Sequence, residues 1–355
     1  MWLYVLTFSV YALGVMSKRK EGSPIPGLIR LLTADWGQVT AGEVAEAAGV
    51  SRQAAHYHLV RMVRSGELRR EGAGRGSRYV VAADLDRRYP LTGLEEDRVW
   101  DEILRDLSTI QLAKENVRSI LKYAFTEMLN NAIDHSGGTQ AQVRFWAGDV
   151  LTFEIVDDGI GVFRHVRERL GLADDLAALQ QLSKGRETTT PERHSGEGIF
   201  FTSRAVDRFE LDANSMRWTV DNIRDDQAIG DAPEHAGTRV TCELDPKTER
   251  VLEDVFTPFV DAETFEFDRT VVALALFKSG GRFVSRSEAK RLGTRLERFR
   301  EVVLDFGGID EVGLAFVDEL FRVWAGEHPQ TELVPINMSP IIERIVRRSG
   351  STRRG

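Results

Sequence analysis

Apolar positions along the chain fall into blocks of different period. In residues 17–82 they recur at helical spacing. Residues 26–34 read as a short helix with Pro26 in its first turn, where the missing N–H costs nothing. Thr40-Ala41-Gly42-Glu43 is a capping-box pattern opening a helix that carries Val44, Ala47 and Ala48 and stops at Gly49. Ser51 caps the next helix, SRQAAHYHLVRMVRSG, whose Ala55, Leu59, Met62 and Val63 share one face. After Gly66 the chain reads LRREGAGRGSRYVVA, two short β runs around a glycine-rich turn. Residues 83–99 include Pro90 and Gly93, sustain no period and read as a linker.

From 97 to 135 the pattern is helical throughout and ends in FTEMLNNAIDHSGG. Strands follow at 140–146 and 150–156, a helical FFTSRAVDRF starts at residue 200, and Gly237-Thr238 opens the strand RVTCEL. The last third alternates strand and helix. An apolar run at 270–277 precedes a helix at 287–299 with Ala289, Leu292, Leu296 and Phe299 on one face. Next come a strand VVLDFGGI, a helix carrying Leu314, Val317, Leu320 and Trp324, a strand ELVPIN, and a helix capped at Ser339 with Pro340 first. Such alternation predicts a small α/β domain. The expected division is 17–82, a linker 83–99, then 100–246, 247–348 and a tail 349–355.

Composition adds exclusions. With 42% hydrophobic and 29% charged residues among 355, the whole is neither disordered nor a disulfide scaffold. The single Cys242 rules out an intrachain bridge and a thiolate zinc site, and points to a reducing, cytoplasmic setting. The net charge of -8 conceals an asymmetry: residues 17–82 hold eleven Lys/Arg and six Asp/Glu, so the remainder is strongly acidic. A basic module of this kind suits a polyanion. Residues 1–16 (MWLYVLTFSVYALGVM) are apolar but fall short of the ~20 residues a spanning helix needs. They lack a signal peptide's basic start and cleavage site. A short anchor held by Lys18-Arg19-Lys20 is one reading. The one adopted is that translation starts at Met16, so no stable membrane insertion is expected.

Two short helices joined by Gly49-Val50-Ser51 fit helix-turn-helix geometry. Arg52, Gln53, His56 and Tyr57 stand near the start of the second helix, the end that meets base edges in such motifs. With the arginine-studded β runs (Arg69, Arg70, Arg75, Arg78), residues 17–82 resemble a bacterial winged helix-turn-helix. That resemblance implies double-stranded DNA as partner, with Arg75 and Arg78 along the phosphates. A protein-interaction module with merely solvated arginines is the alternative.

The middle of the chain carries the candidate chemistry. Glu127 and Asn131, four residues apart, share one helix face. Asp157 ends a strand and is followed by Gly159 and Gly161, where bare backbone leaves room for a planar group. Gly196 and Gly198 open a helix, an arrangement that aims free N–H groups at an anion. The order Glu-x-x-x-Asn, Asp-x-Gly-x-Gly, Gly-x-Gly, Gly-Thr resembles the GHKL ATPase superfamily of histidine kinases, gyrase-type ATPases, Hsp90 chaperones, MutL-type proteins and anti-sigma-factor kinases. By that resemblance Asn131 would hold Mg²⁺ and Glu127 would orient or deprotonate the attacking group. Asp157 would bind the adenine amino group of ATP, with Thr238 supporting it through water. Gly159 and Gly161 would make room for the nucleotide, and Gly196 and Gly198 would hold its phosphates. The span 170–193 would be a mobile lid, with Lys184, Arg186 and Arg193 either reaching a phosphate or merely solvated.

No histidine lies between His58 and His135, so there is no phosphoacceptor on a helix ahead of Asn131, and histidine autokinase activity is disfavoured. No lysine-bearing transducer domain of the gyrase or MutL kind is visible, which leaves anti-sigma-factor kinases as the nearest comparison. VVLDFGGIDEVGLAFVDELF resembles the core of STAS domains, the fold of anti-sigma-factor antagonists, and a STAS-like domain of unknown function found beside GHKL ATPases. Antagonists place a phosphorylatable serine after the aspartate of this turn; here Asp310 is followed by Glu311 and Val312.

The expected fold is therefore α+β and multi-domain: a winged helix, a GHKL α/β sandwich (Bergerat fold) and a small STAS-like domain. The expected function is a bacterial regulator in which Mg-ATP controls a DNA-binding winged helix and a STAS-like domain open to a regulatory protein partner. A homodimer is compatible with it. An anti-sigma-type serine/threonine kinase and a GHKL clamp with protein partners are the alternatives.

Overall fold

The computed structural model describes residues 24–185, 197–261, 266–277 and 283–350, so the reading of residues 1–16 lies outside it. The chain forms two compact units, Met1–Ala83 and Asp84–Gly355.

The first unit packs helices α1 (Pro24–Trp36), α2 (Ala41–Ala48) and α3 (Arg52–Arg64) with an antiparallel hairpin of β1 (Leu68–Glu71) and β2 (Arg78–Val81). Thr40 and Glu43 form the reciprocal capping box, Gly49 closes α2 at φ 64, and the Ser51 hydroxyl accepts from Ala54 N–H. Val39 and Tyr79 exchange backbone hydrogen bonds of 2.9 and 2.8 Å, which ties the hairpin back to the segment ahead of α2. Ile29, Val44, Ala55, Leu59, Met62, Leu68 and Tyr79 fill the core.

In the second unit, β3 (Leu85–Pro90), α4 (Glu96–Asp106), α5 (Ser108–Gln111) and α6 (Glu115–His135) precede β4 (Gln140–Ala147) and β5 (Leu151–Asp157). Then come α7 (Val162–Leu170), α8 (Asp175–Lys184), α9 (Gly198–Ala205), β6 (Arg208–Ala213), β7 (Met216–Asp221), β8 (Asp226–Asp231), β9 (Thr238–Leu244) and α10 (Leu252–Phe256). One seven-stranded antiparallel sheet runs β3-β4-β5-β9-β6-β7-β8. Strict alternation buries one face of β5 at Leu151, Phe153, Ile155 and Asp157, and of β9 at Thr238, Val240, Cys242 and Leu244. The same period that builds the core thus turns Asp157 and Thr238 inward, side by side. Helix α6 covers this face, and the Phe125 ring meets Phe145 and Trp100 at a tilt and Phe153 edge-on. Burial pushes the Cys242 thiol up, leaving it an unreactive core residue.

Residues 83–99 are not a linker. Residues 85–90 form the edge strand β3, paired with β4, and Leu85 and Leu91 are buried. Pro90 is compatible because it ends an edge strand. The helical pattern of 97–135 is also interrupted, since α4, α5 and α6 break at Leu107 and again at residues 112–114.

The C-terminal α/β part continues with β10 (Arg269–Ala273), α11 (Arg286–Gly293), β11 (Glu301–Asp305), α12 (Leu314–Asp318), β12 (Glu332–Ile336) and α13 (Pro340–Gly350). Its three strands are parallel in the order β10-β11-β12. A π-helical stretch, Glu319–Trp324, prolongs α12. Among the described residues no helix is long and apolar enough to cross a membrane.

Candidate functional site

Asp157 is 6% exposed, and both hydrogen bonds it accepts fall on Oδ1, from Gly159 N–H at 2.8 Å and Thr238 N–H at 3.2 Å. Burial raises its carboxyl above the ordinary value, against the downward pull of those two N–H groups and, more weakly, of His235. Oδ2 is left as an acceptor with no protein donor among the described residues. Thr238 sits beside it as the sequence implied, but its Oγ1 accepts from Val162 N–H at 2.9 Å, so the hydroxyl also holds the start of α7.

The glycines here answer first to the chain itself. A Cβ on Gly159 would come 2.1 Å from Ser136 O, and one on Gly237 2.1 Å from Asp157 O. Gly161 has φ 86, and its Cβ would come 2.5 Å from Asn214 Oδ1. Neighbouring protein atoms thus require glycine at both positions, independently of any room they leave for a ligand.

Three residues given no role in the sequence build this loop. Ser136 ends α6; its carbonyl accepts from Ile160 N–H at 3.0 Å. Asp158 accepts from Thr139 and Gln140 N–H, which holds it below the usual carboxylate range. Asn214, at φ 51 in the β6–β7 turn, donates to Ile160 O at 3.0 Å and accepts from Arg164 N–H at 3.1 Å. A two-residue Asn-Ser connection between strands is the signal that marks such a turn, since asparagine tolerates positive φ.

The second half of the site hangs from the same helix. Glu127 on α6 lies against the first residue of α9, so that a Cβ on Gly198 would come 2.2 Å from Glu127 Oε2. Asn131 follows one turn later; its amide reaches Met128 Sδ at 4.0 Å, and its Oδ1 accepts no hydrogen bond among the described residues. Tyr123, one turn before Glu127, is pushed up by burial and by the charges of Glu127 and Glu197. Glu127 and Ser136 are nine residues apart, about 13 Å along the helix axis. One helix thereby spaces Glu127, beside the start of the eight-residue α9, from the Asp157 loop held at Ser136.

Residues 116–248 match the family described as histidine kinase-, DNA gyrase B- and HSP90-like ATPase. They are a GHKL ATPase domain. Residues 288–343 match a STAS-like domain of unknown function. No curated protein matches the chain.

Within the GHKL domain the structure brings Asp157, Gly159, Gly161 and Thr238 together, and separately joins Glu127 to Gly198. Gly196, Arg186 and Arg193 lie outside the described residues. Lys184 is not a solvated lid residue. It is 1% exposed, and its Nζ donates to Leu292 O and Thr294 O at 2.9 Å each, in the STAS-like domain. Helix α8, expected as part of a mobile lid, is buried continuously from Ala177 to Lys184.

The chemistry of these residues suits a nucleotide: the Asp157 Oδ2 would accept from an amino group, and the N-terminus of α9 would favour an anion. Among the described residues no group of three or more His, Cys, Asp or Glu is arranged to hold a metal. A Mg²⁺ here would rest on Asn131 and on the nucleotide's own oxygens, as hard oxygen donors allow.

In the first unit Arg52, Gln53, His56 and Tyr57 are all exposed on α3, Tyr57 by 60%. His56 Nδ1 is engaged by the Tyr79 hydroxyl at 3.0 Å, which leaves only its far ring nitrogen to face outward. Arg70 donates twice to Ser77 Oγ, pinning the hairpin, while Arg78 is exposed. The Arg75 side chain lies outside what is described.

Proposed function

We propose that the chain is an ATP-binding regulator in which Mg-ATP, held by the GHKL domain, controls the binding of double-stranded DNA by the N-terminal winged helix. The observation that carries the nucleotide half is Asp157, a buried carboxylate whose loop-held Oδ1 leaves Oδ2 to accept from an adenine amino group. Asn131 would hold Mg²⁺, which screens phosphate charge when bound. Glu127 stands where it can orient or deprotonate an attacking hydroxyl or water. The DNA half is supported by four exposed polar and aromatic side chains near the start of α3, on a unit of net positive charge. Phosphate contacts would give affinity and a steep salt dependence, and α3 would give sequence preference.

The test is one incubation of the full chain with γ-labelled ATP and Mg²⁺, with duplex binding measured across a salt series. Nucleotide binding together with duplex binding that shifts on nucleotide addition supports the regulator. Label appearing on protein would turn the reading toward a serine/threonine kinase. Duplex binding absent even at low salt would turn it toward a clamp with protein partners.

A further inference from the structure

The STAS-like domain and its flank grip the GHKL domain at two helices, α8 and α9. At the first, Lys184 ends α8 and inserts its ammonium among the last carbonyls of α11, Leu292 O and Thr294 O; Nζ also reaches Gln181 Oε1 at 3.5 Å. A cation at a helix C-terminus satisfies orphan carbonyls and complements the helix dipole. Thr270 on β10 donates to the Lys184 carbonyl at 2.6 Å, so both side chain and backbone of this residue are held from the C-terminal part. Gly185 follows at φ 79, where a Cβ would come 2.6 Å from the Phe267 ring and 3.0 Å from Phe200.

At the second segment, α9 starts at Gly198 against Glu127 and carries Phe200 and Phe201 into the same aromatic cluster. Phe200 meets Phe267 at 4.8 Å and Phe259 at 5.0 Å; Phe201 meets Phe256 at 4.5 Å and Phe267 at 5.0 Å. Phe267 in turn meets Phe299, just ahead of β11, at 5.5 Å. An eight-residue helix thus has its first residue against Glu127 and its body in the aromatic packing around Phe267.

We propose that the STAS-like domain acts in cis as a clamp on α8 and α9, so that nucleotide occupancy and its own packing on these helices are thermodynamically coupled. The proposal rests on the nucleotide-binding reading above. Close-packed interiors transmit a displacement at one end of α9 to the ring cluster at its other end. Linkage makes the effect reciprocal: whatever loosens the clamp weakens the nucleotide, and the nucleotide tightens the clamp.

The experiment uses the full chain as wild type, Lys184→Met and Thr270→Val, with Mg-ADP and a non-hydrolysable Mg-ATP analogue as probes. Lys184→Met keeps a long apolar stem but removes the donors; Thr270→Val is nearly isosteric and serves if the first variant fails to fold. Calorimetry gives affinity, and hydrogen exchange reports residues 269–294, remote from the nucleotide. In the wild type, nucleotide should slow exchange at 286–294. In the variants that protection should vanish and nucleotide should bind at least about fivefold more weakly, the lower end of typical coupling. Wild-type nucleotide binding that leaves 269–294 unchanged, or variants that bind as tightly as wild type, would overturn the clamp and leave the nucleotide reading standing. A wild-type chain that binds neither probe would overturn both.

Discussion

Asp157→Asn isolates the base-binding end of the site with the smallest change in shape. The wild-type carboxylate spends Oδ1 on Gly159 and Thr238 N–H, and under the proposed function Oδ2 would accept from the base. An asparagine oxygen can replace Oδ1 and keep both loop bonds, but its NH₂ then faces the adenine NH₂, donor against donor. Flipping the amide restores the ligand bond and turns the NH₂ against two backbone N–H groups instead. Either way one charge-assisted hydrogen bond is lost, worth about 1.5–3 kcal/mol, or roughly 10- to 140-fold in the dissociation constant. Isothermal calorimetry with Mg-ADP and Mg-ATP should show the same factor for both, because the change lies far from the phosphates. Thermal unfolding of the empty protein should move little or upward, since the variant removes a buried charge. The pH dependence follows with its sign. Burial raises the folded-state pKa of Asp157, so its ionised form lowers the stability of the empty protein as pH rises through that pKa. The ligand needs the ionised form. Wild-type affinity should therefore fall as pH drops through a value above the ordinary ~3.9 for aspartate, with proton release on binding in that window, and Asp157→Asn should lose this limb. An affinity within about twofold of wild type in a folded variant would refute the assignment of Oδ2 to the base.

Glu127→Gln should keep nucleotide binding and lower any phosphate release or transfer by about 10²–10⁴-fold in a single-turnover assay. Asn214→Gly keeps the turn's positive φ but deletes the amide bridging Ile160 O and Arg164 N–H, so calorimetry should show ADP and ATP weakened alike with little change in melting temperature. Arg78→Ala should weaken all duplexes by a similar factor and reduce the salt slope by about one, whereas Arg52→Ala should change sequence preference in a binding-site selection. Mass spectrometry after incubation with Mg-ATP should find no phosphate in residues 305–320, where Glu311 and Val312 replace the antagonists' serine.

The placement of Asp157 at a strand end and of Glu127 and Asn131 on one helix was legible because both follow from local pattern: Asp157 closes β5, and Glu127 and Asn131 are four residues apart on α6. Long-range packing was not legible. Asn214 stands 53 residues beyond Gly161, and nothing in the loop's own sequence shows that the asparagine fills the space a Cβ would take. The strands β7 and β8 escaped notice because SMRWTVD and DQAIGD carry few apolar residues; their order is set by long-range pairing, β6 on β9, β7 on β6 and β8 on β7. Lys184 was misread because a lysine beside glycine and arginine suggests solvent. What buries it is the end of α11, more than a hundred residues away. Residues 83–99 failed in the opposite direction: proline and glycine suggested a break, but Pro90 sits at an edge where no ladder hydrogen bond is required.

The C-terminal domain departs from the antagonists it resembles in a way that agrees with a cis role. Their switch is a serine whose phosphorylation would add roughly two negative charges at the turn before a helix. Here Asp310 and Glu311 are exposed, while Val312 beside them is 4% exposed and bridges Phe283, and a Cβ on Gly313 would come 2.6 Å from Val284 O. Glu311 contributes a charge that no kinase adds or removes. A domain without a covalent switch can still change state, but only by packing differently against a neighbour whose own state changes. A nucleotide shifts such an equilibrium by no more than its difference in affinity for the two packings. Under the proposed clamp, the Lys184 and Phe267 contacts are where that difference would be made, because they join the matched STAS-like residues and their flank to α8 and α9.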